Sequence, residues 1–141
     1  MARVGLLEDN ERIARLSATM LQFAGHTVTI YDRGCTLLDD LIPVRDLISS
    51  CDTTSLAQLP IDVLMLDLQL PDMPGIEVVQ HLQSYSHTRT LPLIFCTAAN
   101  LSEIALVLRV APQAKVVEKP FKLQALVDAV SDALMVKSVT K

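Results

Sequence analysis

Three acidic side chains, a threonine and a lysine stand at the same kind of place in this chain, each just after an apolar run. Glu8-Asp9 follows Arg3-Val4-Gly5-Leu6-Leu7. Asp67 follows Val63-Leu64-Met65-Leu66 and precedes Leu68-Gln69-Leu70-Pro71-Asp72-Met73-Pro74-Gly75. Thr97-Ala98 follows Leu91 to Cys96, and Glu118-Lys119-Pro120 follows Ala114 to Val117. A carboxylate can attack phosphorus and become an acyl phosphate, and Asp67 is the candidate nucleophile. Phosphoryl transfer concentrates negative charge on the phosphoryl oxygens. The Lys119 ammonium, the Thr97 hydroxyl, backbone N–H groups near Leu68 and Ala98, and a divalent cation can neutralise that charge. Three carboxylates gathered in one place repel one another. A hard cation with oxygen ligands and water, Mg²⁺, makes them tolerable, with the lysine beside it.

Convergence of these groups requires that the apolar runs be neighbouring strands. Val63 to Leu66 is an unbroken apolar run bounded by turn residues, the pattern of a strand buried on both faces of a parallel sheet. In open sheets of that kind, ligands bind beyond the carboxyl ends of the strands. The periodicity predicts strands at Arg3–Leu7, His26–Tyr31, Asp62–Leu66, Leu91–Cys96 and Ala114–Val117. It predicts helices over about Asn10–Ala24, Cys35–Ile42, Gly75–Ser84, Asn100–Val110 and Phe121–Val136. Ile13, Leu16, Met20 and Phe23 recur at helical spacing in the first of these, which Gly25 stops. Asp32 lies in the N-cap region of the second, and Asn100-Leu101-Ser102-Glu103 has the layout of a capping box. Leu123, Leu126, Val127, Val130 and Leu134 form the inward face of the last helix. Strands alternating with helices give an α/β class, a doubly wound (βα)5 three-layer sandwich around a five-stranded parallel sheet. Residues 43–60 form an extension, read as a short helix followed by a loop.

The chain has 141 residues, one ordinary domain, half of them hydrophobic. A net charge of −4, with no basic run, argues against nucleic-acid binding. Apolar runs such as Ile104 to Leu108 are far too short to span a bilayer, and Arg3 to Leu7 has the layout of a strand rather than of a signal peptide. Cys35, Cys51 and Cys96 show no metal-ligand spacing and fit a reducing cytoplasm as small apolar residues.

Taken in order, Glu8-Asp9, the Leu-Asp-Leu-Gln-Leu-Pro-Asp-Met-Pro-Gly run around Asp67, Thr97-Ala98 and Lys119-Pro120-Phe121 resemble the receiver domain of two-component response regulators. The resemblance covers nearly the whole chain, with a receiver domain over residues 1–138 and a tail at 139–141. The 43–60 extension is longer than that family usually has. The resemblance implies a flavodoxin-like fold with strand order 2-1-3-4-5. It implies that Asp67 accepts a phosphoryl group from a histidine kinase or a histidine phosphotransfer protein. Glu8, Asp9 and Asp67 would hold Mg²⁺ with the backbone carbonyl of Gln69. Leu68, Thr97, Ala98 and Lys119 would bind the phosphoryl oxygens, and the Lys119-Pro120 bond is expected to be cis. Such a protein is no enzyme beyond its own phosphorylation and dephosphorylation.

Two positions depart from the family pattern. Val116 stands where a switching Tyr or Phe is usual, and Glu8 where Asp is more common. Val116 leaves room for a second reading, a phosphorylation-independent scaffold. A phosphohydrolase would need an acid where Gln69 stands. The fourth predicted helix has almost no polar face, so some of Leu106, Val107 or Val110 should be exposed. With the fifth strand and fifth helix it would form a partner or homodimer surface.

Overall fold

The computed structural model describes residues 2–42, 59–68, 70, 72–97, 101–118 and 122–139. The extension at 43–60 therefore lies almost wholly outside the described residues. Five strands and six helices are present among the described residues: β1 Arg3–Leu7, α1 Glu11–Phe23, β2 Thr27–Tyr31, α2 Gly34–Leu41, β3 Val63–Leu66, α3 Gly75–Gln83, α4 Ser86–Arg89, β4 Leu93–Thr97, α5 Leu101–Val110, β5 Lys115–Glu118 and α6 Leu123–Val139. The strands form one parallel sheet in the order β2-β1-β3-β4-β5.

β3 lies at the centre, and all four of its residues are buried. Its side chains alternate between two cores. Leu64 and Leu66 join Leu7 and Phe95 under α2, α3 and α5, where Leu37, Leu41, Val78, Val79, Leu82 and Val107 meet them. Val63 and Met65 join Val4, Leu6, Ile94 and Val117 under α1 and α6, where Ala14, Leu21, Leu126 and Val130 meet them. Each face of the sheet is thus covered, which explains why the β3 sequence is apolar without alternation. β2 is an edge strand and reads differently, with Thr27, Thr29 and Ile30 exposed.

The residues that reveal α1 in the sequence are not those that bury it. Leu16 is 54% exposed and Phe23 86% exposed. The stripe against the sheet is Ala14, Ser17, Ala18 and Leu21, one residue round the helix. Small side chains let the helix lie close to the strands, and apolar periodicity weighs large residues more heavily than small ones. In α6, Leu126 and Val130 are buried as expected, while Val127 and Leu134 are half-buried. In α5, Val107 is buried and Leu106 is 50% exposed, so the apolar surface expected there narrows chiefly to Leu106. α4 was not expected. It starts after Tyr85 and is tied down by Thr88, a buried residue whose hydroxyl donates to the Leu82 carbonyl at 2.6 Å. No helix among the described residues is long and apolar enough to cross a membrane.

Opposite the carboxyl ends of the strands, the start of β1 is fastened by two polar contacts. Arg3 forms an ion pair with Asp62 at 2.9 Å, and the Ala2 N–H donates to His26 Nδ1 at 3.1 Å. Accepting that bond requires an unprotonated Nδ1. Burial, together with the positive amino terminus, lowers the His26 pKa from its ordinary 6.5. The folded state therefore binds fewer protons than the unfolded state below about pH 6.5. Stability should fall as pH drops from 7.5 through 6.5 towards 5.5, and His26→Gln should flatten that segment of the profile. Urea denaturation across the range, wild type against variant, checks this; parallel profiles would contradict it.

Candidate functional site

β1 and β3 are neighbours, and the chain leaves them in opposite directions across the sheet: β2 lies beyond β1, β4 beyond β3. This is the point at which a doubly wound sheet opens a crevice at its carboxyl edge. Glu8 and Asp9 follow β1, and Asp67 follows β3. Two ladder-like bonds extend the pairing to the acidic residues themselves. The Glu8 N–H donates to the Tyr31 carbonyl at 3.0 Å, and the Asp67 N–H donates to the Leu7 carbonyl at 3.0 Å. The backbone that carries both acids is thereby part of the sheet, not of a free loop.

The consequence is a cluster. Glu8, Asp9 and Asp67 each bring one carboxylate oxygen within 4.8 Å of the others. Glu8 and Asp67 are buried, at 4% and 8% exposure, while Asp9 opens to solvent. The backbone N–H of Asn10 donates to Glu8 Oε2 at 3.3 Å. Asn10 itself caps α1, its Oδ1 accepting the Ile13 N–H at 3.2 Å. The start of α1 thus adds N–H groups and the positive end of a helix dipole on the side of the acids. Its role as a cap follows from the residue type at the head of the predicted helix, a signal the periodicity alone does not carry.

Carboxylate charges no more than 4.8 Å apart repel by roughly 3 kcal/mol or more per pair at an effective dielectric near 20, before the screening that reaches the exposed Asp9. The donor set consists entirely of carboxylate oxygens, partly desolvated and open on the Asp9 side, and so fits a hard divalent cation that keeps some of its water.

The remaining predicted residues divide as follows. Leu68 is buried beside Asp67, and its carbonyl accepts the Gly75 N–H at 2.9 Å. Thr97 closes β4 and pairs in register with Glu118, the last residue of β5, so the Thr97 backbone stands at the same sheet edge. Gln69, Ala98, Lys119, Pro120 and Phe121 lie outside the described residues, and with them the expected cis bond and the expected capping box at Asn100. Val116 is half-buried in β5, pairs with Phe95, and packs against the core beneath α5. From the sequence, the N-cap region of α2 is expected at Asp32. The helix begins at Gly34 instead, and its cap comes from Asp72, whose carboxylate accepts the N–H groups of Gly34 and Cys35.

The family model for the response regulator receiver domain matches residues 4–131. The chain belongs to that family. Among curated relatives, it is 34% identical over 95 residues to the transcriptional regulatory protein CreB of Escherichia coli, covering 67% of this chain and 34% of that protein. It is 26% identical over 135 residues to the response regulator receiver protein CpdR of Brucella abortus, covering 96% of this chain and 98% of that protein. A match to a probable cyclic di-GMP phosphodiesterase of Vibrio cholerae is 42% identical over 48 residues and spans 11% of that protein. The chain thus spans a minor part of the longer relatives, CreB and the phosphodiesterase. Among solved structures, the CheY-like receiver domain protein of Methanospirillum hungatei superposes with a TM-score of 0.77 at 18% identity, over 100% of this chain and 99% of that one. At that identity the likeness is one of fold.

Charge repulsion makes the cluster testable without any phosphodonor. In EDTA, Asp9→Asn should raise the stability of the receiver domain by about 1 kcal/mol, discounted for the exposure of Asp9. Mg²⁺ at about a hundred times its Kd should raise wild-type stability by about 2.7 kcal/mol, and should stabilise Asp9→Asn far less. Urea titrations with and without Mg²⁺ measure both. A variant less stable than wild type in EDTA would contradict the repulsion argument.

Proposed function

We propose that this receiver domain is the phosphoacceptor switch of a two-component relay, with Asp67 as the acceptor. The observation that supports it most is the meeting of the Glu8, Asp9 and Asp67 carboxylates within 4.8 Å at the carboxyl edge of the sheet. A carboxylate at the end of a buried central strand, fixed by its own backbone N–H, is a positioned nucleophile.

In this reading an Asp67 carboxylate oxygen forms a bond to phosphorus as the bond from phosphorus to the donor's imidazole nitrogen breaks. The imidazole leaves with that electron pair. Backbone N–H groups at Leu68 and Ala98, the Thr97 hydroxyl and the Lys119 ammonium hold the phosphoryl oxygens. Glu8, Asp9, Asp67 and the Gln69 carbonyl would hold Mg²⁺, which supplies charge neutralisation for the incoming phosphoryl group when bound. Catalysis is confined to the protein's own phosphorylation and to hydrolysis of the acyl phosphate. Gln69 stands where a phosphohydrolase would need an acid, which separates this chemistry from general phosphatase action.

The donor is a sensor histidine kinase or a histidine phosphotransfer protein, and we place the exchange in the cytoplasm, where thiols such as the exposed Cys35 stay reduced. We propose the surface of α5, β5 and α6 as the partner or homodimer face, with the exposed Leu106 of α5 as its probe.

The decisive test is intact-protein mass after incubation with a small phosphodonor. Wild type should gain one phosphoryl group in the presence of Mg²⁺ and none in EDTA, and Asp67→Asn should gain none. A folded wild-type protein that binds Mg²⁺ yet stays unmodified, by a small donor and by a phosphohistidine donor alike, would favour the scaffold reading. For the partner face, Leu106→Glu should leave the fold intact and abolish self-association or partner binding, as sedimentation and pull-down measure. Val107 cannot serve as this probe, because it is buried. Unchanged association in Leu106→Glu would remove α5 from the interface.

A further inference from the structure

The connection between β3 and α3 is fastened at its base and again near its end. At the base, the Gly75 N–H donates to the Leu68 carbonyl at 2.9 Å. The two arms touch there: a Cβ on Gly75 would lie 2.6 Å from the Leu68 Cα. Further out, one Asp72 oxygen accepts the Gly34 N–H at 3.0 Å and the other accepts the Cys35 N–H at 2.9 Å. The adjoining Met73 side chain packs on Gly34, where an added Cβ would come within 2.9 Å of Met73 Cγ.

A helix start is ordinarily capped by the residue that precedes it. Arg33 occupies that place in α2, with extended backbone and no side-chain cap. The cap comes instead from Asp72, 38 positions beyond Gly34. A local cap would satisfy the same two N–H groups. What the distant cap adds is a clamp between α2 and the loop. The helix is a firm anchor: Leu37 and Leu41 are fully buried, and the Tyr31 hydroxyl donates to the Asp40 carboxylate. The Cys35 and Gly34 N–H groups also hold the Asp72 carboxyl below its ordinary range, so the clamp stays ionised at neutral pH.

We propose that Asp72 is a positioning residue for phosphoryl transfer: by clamping the β3–α3 connection to α2, it holds the segment that follows Asp67 and Leu68. This rests on the reading of Asp67 as acceptor and of the Gln69 carbonyl as a cation ligand. Asp72 acts through the loop, as outer partners of metal ligands do, and their loss typically weakens metal binding about tenfold or more.

The experiment separates the clamp from the cap. Asp72→Ala removes both. The double variant Arg33→Asp/Asp72→Ala returns a local cap to α2 without the link to the loop. Three quantities are measured on each: stability in urea with EDTA, Mg²⁺ affinity by calorimetry, and the rate of phosphoryl uptake from a small phosphodonor at saturating Mg²⁺. Asp72→Ala should be less stable than wild type and bind Mg²⁺ about tenfold more weakly. The double variant should regain stability, yet keep the weakened Mg²⁺ affinity and slowed uptake. Recovery of all three in the double variant, or wild-type Mg²⁺ affinity in Asp72→Ala, would overturn the proposal. Absence of phosphoryl uptake in wild type overturns the acceptor reading and this inference with it; normal wild-type uptake matched by both variants overturns this inference alone.

Discussion

Mutual repulsion of Glu8, Asp9 and Asp67 is the constraint on which the rest of this structure depends. Three carboxylate oxygens within 4.8 Å of one another cost electrostatic free energy. Something must hold the backbone that carries them. Here it is the sheet around β1 and β3, whose buried side chains are locked from both faces, with Asp67 bonded on to β1 through Leu7 and Glu8 on to β2 through Tyr31. The stabilising term is apolar burial, roughly 25 cal/mol per Å² removed from water. The destabilising term is electrostatic and confined to one edge. Folding free energy is thus converted into a charge arrangement that a cation or a phosphoryl group with its counter-charges can relieve.

The same logic explains where the acids sit. At the switch point between β1 and β3 the chain runs on to β2 on one side and to β4 on the other, so the segments that follow the two strands part and leave room between them. α1 departs on one face and α3 on the other, so Asn10 and Gly75 frame the crevice from its two sides. Gly75 is required there because its neighbour across the loop is backbone, not a side chain that could yield. A methyl group at this position would push Leu68, and with it the carbonyl side of Asp67, out of register.

Much of this was legible in the sequence, for a physical reason. β3 carries its own signature because burial on both faces leaves no polar position, and its end is marked because Asp67 interrupts the run. Strand-end residues could therefore be lined up before any pairing was known. What escaped depends on contacts far apart in the chain. The sequence points to Asp32 for the α2 cap, whereas the structure supplies it from Asp72, which from the sequence alone reads only as a turn residue. The inner face of α1 is made of Ala14, Ser17 and Ala18, which carry little apolar weight, while Leu16 and Phe23 carry much and lie outside. α4 depends on Thr88 reaching back to Leu82, a bond no periodicity announces.

Val116 bears on how a change at the acidic edge could travel. A phosphoryl group shifts a two-state protein only as far as its affinities for the two states differ. An aromatic side chain with two stable positions, one inward and one outward, supplies such a difference. Val116 has a single stiff torsion and already packs, half-buried, beside Phe95 against the α5 core. Moving it outward exposes little surface and moving it inward fills little space, so β5 offers a small free-energy gap between states. The α2 side is built otherwise. There two charge-assisted hydrogen bonds, from the Gly34 and Cys35 N–H groups to Asp72, join the segment after Asp67 to a whole helix, a stiffer tie than the packing of one half-buried valine.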